Sequence, residues 1–265
     1  MSMYETIKLD RDLRGIAKLV LSRPEKHNAL NATMIGELRH AAATIATDAS
    51  VRVVVLAAEG KSFCAGGDLV WMREQTEKDR AGRMADAIEL ASMMRDLDSL
   101  PKPLIARVQG SAYGGGIGLM AVCDTVVASA MATFALTEVR LGLIPAAIGP
   151  YVVRRLGEGL ARQFLLSGKT FDADQARTMG LVSLVSLENA LDSAVEAEIA
   201  EYLACAPGAI ADAKALCQHL VRNPGADDLG WTAERLADRW ETAEAQDGIR
   251  SFLAREKPSW TNTRR

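Results

Sequence analysis

Gly114-Gly115-Gly116-Ile117-Gly118, read together with Phe63-Cys64-Ala65-Gly66-Gly67-Asp68, makes a pair of glycine-dense turns. Val51-Arg52-Val53-Val54-Val55-Leu56 precedes one turn and Leu104-Ile105-Ala106-Arg107-Val108 the other. Both apolar runs read as strands, and both turns open into a helical pattern. Glycine lets a backbone approach a ligand closely because no Cβ intervenes. The first turn of a helix carries N–H groups with no partner inside the helix. Two such groups, aimed at one point from two turns, make an oxyanion hole. Either turn alone reads equally well as punctuation between a strand and a helix. The pair, in this order, carries the inference.

Towards the N-terminus, residues 4–9 and 15–21 alternate apolar with polar around an Asp-Arg-Asp turn and predict a hairpin. Asn31 is placed to cap a helix whose apolar residues are Met34, Leu38, Ala42 and Ile45. Between the glycine turns, residues 68–74 predict a short helix and residues 78–100 a long one, ended by Pro101-Lys102-Pro103. A helix of about ten residues is expected after the second turn. Short strands are expected at 125–129 and 133–136, then a loop over 137–145. Beyond Gly149 the pattern is mainly helical, over 160–166, 174–179, 187–205, 208–222 and 226–245, with one strand at 181–185. The change near residue 187 divides the chain into a core, 1–186, and a C-terminal helical region, 187–265. Apolar stripes on the last segments need a surface to bury against, either the chain's own core or another copy.

The chain has 265 residues, 49% apolar and 25% charged, with net charge −3. That is the composition of an ordinary globular protein, without the basic excess of a nucleic-acid binder. Its four cysteines, Cys64, Cys123, Cys205 and Cys217, have neither CxxC spacing nor a dense framework, which argues against a disulfide scaffold or a zinc site. A reducing cytoplasm fits. No signal-peptide pattern opens the chain, and no apolar run approaches membrane-spanning length.

Glu138 is the first candidate for chemistry. Its sequence neighbours include Phe134, Ala135, Leu136, Val139, Leu141, Leu143 and Ile144. An apolar pocket would raise its pKa and let it accept and return a proton. The competing reading is a solvated loop acid or an ion pair with Arg140. Asp68 reads best as a helix cap, with a reactive role second. Cys64 invites a nucleophile reading, but His27, His40 and His219 offer no recognisable base for it, so a buried filler fits better. Those histidines also lack the i, i+4 spacing of a helical metal site. Gly116-Ile117-Gly118-Leu119-Met120-Ala121 matches a dinucleotide fingerprint, yet its glycines do not directly follow the strand. Lys26, Lys61 and Lys257 could each meet a phosphorylated ligand or be solvated surface lysines.

Several strings together resemble the crotonase superfamily, the enoyl-CoA hydratase/isomerase family. They are Arg23-Pro24 with Asn28-Ala29-Leu30, residues 63–69, 103–124, 134–145 and the closing 252–260. The resemblance implies an α/β spiral of ββα units with a C-terminal helical region that trimerises, trimers pairing into hexamers. It implies an acyl-CoA thioester as partner, coenzyme A being part of the substrate rather than a cofactor, and no metal. By resemblance the oxyanion hole maps to the N–H groups of Gly67 and Gly115. Lys26 and Ala29 match the CoA channel, Lys61, Ala65, Asp68 and Leu69 match positions near adenine and pantetheine, and Lys257 matches a tail lysine reaching the nucleotide. Glu138 falls on one of the two glutamates of two-acid hydratases and Gly118 on the other, which leaves a single acid and implies space beside it. Ala146 stands where many members have glycine. Residues 134–145 and 149–152 are similar to a bacterial branch of methylglutaconyl-CoA or isohexenylglutaconyl-CoA hydratases. The implied reaction is reversible hydration of a 2-enoyl-CoA. Isomerisation of a 3-enoyl-CoA, and acyl-CoA binding with little catalysis, are the alternatives.

Overall fold

The computed structural model describes residues 4–223, 225 and 227–261. Strand β1 (Ile7–Arg11) pairs antiparallel with β2 (Ile16–Leu21), Ile7 opposite Leu21. The turn between them lies later than the Asp-Arg-Asp expectation. Asp12 accepts the N–H groups of Arg14 and Ile16, and Gly15 turns the chain at φ +85°, so the strand runs on through Arg11.

From β2 onward each neighbouring pair in the main sheet is parallel. Helix α1 (Ala32–Thr47) returns the chain to β3 (Val53–Ala58), α2 (Leu69–Glu77) and α3 (Arg80–Asp98) return it to β4 (Leu104–Val108). The short β5 (Ala112–Tyr113) and α4 (Gly115–Ala121) then lead to β6 (Thr125–Ser129). The order of this six-stranded sheet is β1-β2-β3-β4-β6-β9, with β9 at Leu184–Ser186. A second sheet of three strands, β5-β7-β8, is built from β5, β7 (Thr133–Ala135) and β8 (Phe171–Asp172). The chain thus steps from large sheet to small sheet to helix and back, the ββα spiral that the resemblance implied.

Alternation along β3 explains why both faces of the sheet are covered. Val54 and Leu56 face the main core, with Met34, Leu38, Met93 and Leu97 from α1 and α3. Val53 and Val55 face the other way, with Ile16, Ile105 and Val127, onto Leu191, Val195 and Ile199 of α8 (Leu191–Ala204). The first long helix beyond residue 186 is therefore the second cover of the sheet.

Local chemistry sets the helix boundaries. Asn31 caps α1 by accepting the Met34 N–H at 2.9 Å. The long helix expected over 78–100 begins at Arg80 because Asp79 caps it through Gly82, and Lys78 is extended at the end of α2. Helix α4 has seven residues rather than ten. The helix expected over 226–245 has its first residue outside the described set. The rest divides at Thr242, which caps a new helix through Ala245, giving α10 (Leu229–Trp240) and α11 (Ala243–Ala254). Between these groups lie α5 (Gly149–Leu156), α6 (Glu158–Leu165), α7 (Ala173–Thr178) and α9 (Pro207–Arg222). No helix among the described residues is long and apolar enough to cross a membrane.

Asn31→Ala is expected to lower the unfolding free energy by about 1 kcal/mol in urea titrations at fixed protein concentration; an unchanged midpoint would count against the capping role.

Candidate active site

The first glycine turn leaves the C-terminal end of β3 and is held from both sides. Leu30 N–H donates to Gly66 O at 2.7 Å, and Asp68 N–H donates to Leu30 O at 2.9 Å. This parallel bridge uses the groups flanking Gly67, so the Gly67 N–H points away from Leu30 and meets no backbone acceptor among the described residues. On the other side Tyr113 N–H donates to Cys64 O at 2.9 Å, and Cys64 bridges to Ala112. The second turn starts there. Gly114 has φ +47°, a conformation that only glycine takes easily, and its N–H donates to Ala135 O. Gly115 is the first residue of α4, so its N–H has no acceptor inside the helix. The two turns touch backbone to backbone: a Cβ on Gly116 would lie 2.5 Å from Cys64 O.

Glu138 opens a short 3-10 turn, Glu138–Leu141, just after β7. Its Oε1 would be 2.7 Å from a Cβ on Gly114, so the carboxyl lies directly against the second glycine turn. Its Oε2 is buried with no hydrogen-bond partner among the described residues, and Glu138 makes no ion pair with Arg140. Burial raises its pKa above the usual 4.5, opposed only by its own backbone N–H. Phe134, Ala135 and Leu136 are buried beside it, whereas Leu141, Leu143 and Ile144 are exposed.

The expectation that Gly118 leaves space beside Glu138 is corrected. A Cβ there would overlap Ile148 Cγ2, with Ile148 Cβ at 2.8 Å and Met94 Cε at 3.0 Å. The volume is filled by hydrocarbon.

Asp68 caps α2, accepting Val70 N–H at 2.8 Å and Trp71 N–H at 3.3 Å. Its second oxygen accepts from Arg23 at 2.9 Å. Burial pushes this carboxyl up, but Arg23 and the helix amides outweigh it and hold the pKa below the ordinary range. Arg23 also donates to Ala29 O, and Asn28 donates to Glu59 O and Ser62 O, which knits the 23–30 loop to the first glycine turn. Lys26, Ala29, Lys61, Ala65, Asp68 and Leu69 therefore gather at one corner. Lys26, Lys61 and Leu69 are exposed there, while Ala29 and Asp68 are buried. Lys257 is exposed and lies elsewhere in this chain. Its tail is anchored where Trp260 donates to Ala204 O and Arg52 donates to Trp260 O, at the N-terminal end of β3. Arg23, Asn28 and Ile148 are the contributors that residue-type reasoning passed over. The run Arg23-Pro24…Asn28 carried a signal for the first two.

The competing chemistries lose ground here. Burial pushes the Cys64 thiol up to about 12, which leaves too little thiolate for a nucleophile. His27 contacts Ser62, His40 contacts Tyr4 and His219 contacts Asp228. No group of His, Cys, Asp and Glu suited to a metal ion occurs among the described residues. Strand β5 and Gly114 separate β4 from α4, so the direct strand-to-helix glycine turn of a dinucleotide site is missing.

Alternating sheets, with two glycine turns packed against each other beneath a half-buried glutamate, define an α/β protein of the crotonase class. The sequence model of the family described as enoyl-CoA hydratase/isomerase matches residues 11–263, and the chain belongs to that enzyme family. It is 32% identical over 246 residues to a putative enoyl-CoA hydratase of Thermus thermophilus, covering 92% of this chain and 96% of that protein. It is 35% identical over 248 residues to the 2,3-dehydroadipyl-CoA hydratase of Escherichia coli, covering 91% and 93%. A solved enoyl-CoA hydratase from Shewanella pealeana superimposes with TM-score 0.93 at 36% identity, covering 97% of each chain.

Asp68→Ala removes both the α2 cap and the carboxylate facing Arg23, and is expected to destabilise the fold by about 2–4 kcal/mol. Thermal unfolding checks this, with Asp68→Asn falling between that variant and the parent.

Proposed function

We propose that the protein hydrates a 2-enoyl-CoA thioester reversibly, with Gly67 and Gly115 as the oxyanion hole and Glu138 as the only side-chain acid/base. The observation that carries this reading is the buried, unpartnered Oε2 of Glu138, on a carboxyl lying against the turn that supplies the Gly115 amide. Ionised Glu138 takes a proton from water as the water oxygen bonds to Cβ. The π electrons move to the thioester oxygen, where two backbone N–H groups meet the charge. As the carbonyl re-forms, Glu138 returns the proton to Cα and is ionised again. Coenzyme A enters and leaves as part of the substrate, and no further cofactor or metal is required. Lys26 and Ala29 are assigned to the CoA channel, and Lys61, Ala65, Asp68 and Leu69 to positions near its pantetheine and adenine. Lys257 is assigned to the nucleotide held by a neighbouring subunit.

A homotrimer, or a dimer of trimers, is the proposed assembly, built through residues 187–265. Exposed Leu229, Leu236, Trp240, Phe252 and Leu253 support it. A cavity of about 470 Å³ beside them is lined by Leu216, Leu236, Trp240, Ile249 and Trp260. For the acyl group, the similarity to methylglutaconyl-CoA and isohexenylglutaconyl-CoA hydratases favours a carboxylated enoyl chain, and the name of the Escherichia coli relative points the same way. Isomerisation of a 3-enoyl-CoA is the second reading. It is favoured by Gly118, since one acid suffices to carry one proton between two carbons.

Glu138→Gln is expected to lower kcat by about 10²–10⁴-fold while leaving CoA-ester binding nearly intact. Undiminished turnover would refute Glu138 as the base. In the parent enzyme the base must be ionised, and burial raises its pKa above the ordinary 4.5. The rate therefore rises with pH through a midpoint above the usual carboxylate range. Products from carboxylated and plain enoyl esters, read by mass, separate water addition from isomerisation.

A further inference from the structure

We propose that Ile148 is a positioning residue for the reaction at Glu138, an inference that rests on the acid/base reading of Glu138. Gly118 lies one helical turn beyond Gly114 on α4, its N–H donating to Gly114 O at 3.2 Å. The space its side chain would take is filled by Ile148, which is 2% exposed, and by Met94, which is fully buried. Ile148 sits just ahead of α5, and its carbonyl accepts Tyr151 N–H at 3.0 Å and Val152 N–H at 3.1 Å.

The segment carrying Glu138 is therefore attached to α4 at two points. Upstream, Gly114 N–H donates to Ala135 O, three residues before Glu138 along the chain. Downstream, Ile148 seats in the notch of Gly118. Between these pins the backbone turns on itself: Leu143 N–H donates to Glu138 O, Ala146 N–H to Ile144 O and Gly149 N–H to Pro145 O. The apolar residues of that stretch give little grip, since Leu141, Leu143 and Ile144 are 62%, 53% and 75% exposed. Ile148 is the buried apolar anchor at the far end. Gly118 and Ile148 form a size-matched pair, one small so that the other can be large. Because Ile148 is almost fully enclosed, it acts on the substrate only through the placement of Glu138.

Kinetics and thermal unfolding of four variants test this. Ile148→Ala empties the notch and is expected to lower kcat by up to about 10²-fold, the cost of an ångström-scale misplacement. KM should change little, and the pH midpoint should fall towards the ordinary carboxylate value as Glu138 gains water. Ile148→Val keeps the Cγ2 methyl and stays near the parent. Gly118→Ala drives a methyl into Ile148 and loses both stability and kcat. The double variant Gly118→Ala/Ile148→Ala recovers part of each relative to Gly118→Ala. The proposal is overturned if Ile148→Ala is less stable yet keeps kcat and the pH midpoint, or if the effects at 118 and 148 simply add. Failure of the underlying reading looks different: Glu138→Gln would then turn over normally, whatever the coupling between 118 and 148.

Discussion

Contact between two backbones holds this site together. Parallel pairing of β3 with β4 sets the exits of both strands side by side, where ligands of open α/β sheets commonly lie. The turns that follow are then drawn together through Cys64 and Ala112, and through Leu30 and Gly67. A side chain at Gly116 would part them, because its Cβ would meet Cys64 O at 2.5 Å, whereas one at Gly115 would press on the Leu30 side chain, with Cδ1 at 2.7 Å. The amides of Gly67 and Gly115 are left over from this arrangement, neither engaged by a neighbouring carbonyl among the described residues.

Two carboxylates at this site show how environment assigns roles. Asp68 and Glu138 both lose water, which on its own disfavours charge. Asp68 is compensated by Arg23 and two helix amides, so it stays charged and serves as a fastening. Glu138 has only its own N–H and a bare second oxygen, so its proton affinity rises. The proposed mechanism asks Glu138 both to take and to give a proton, which needs that balance, whereas a group that fastens a loop needs the opposite one.

Much of this was legible in the sequence, because local chemistry set it. Asn31 and Asp68 cap where their side chains can reach free amides, and the apolar run of β3 foretold a strand. The paired glycine turns pointed to their own proximity. What stayed hidden depends on contacts distant in the chain. Glycine at 118 reads as open space until Ile148, thirty positions later, is seen in it. The hairpin turn was misplaced because Asp12 accepts two amides and Gly15 takes a left-handed φ. The expected length of α4 was too great, since only seven residues separate its glycine start from the bend that leads to β6. Strand β8 has two residues, too few for any period to register.

A crystal structure with a non-reactive acyl-CoA thioester bound tests the central claim most directly. The account predicts the thioester oxygen within about 2.7–3.1 Å of both the Gly67 and Gly115 nitrogens, with the Glu138 carboxyl facing the acyl Cα and Cβ. A thioester oxygen bound elsewhere, or a Glu138 carboxyl turned away from those carbons, would contradict it.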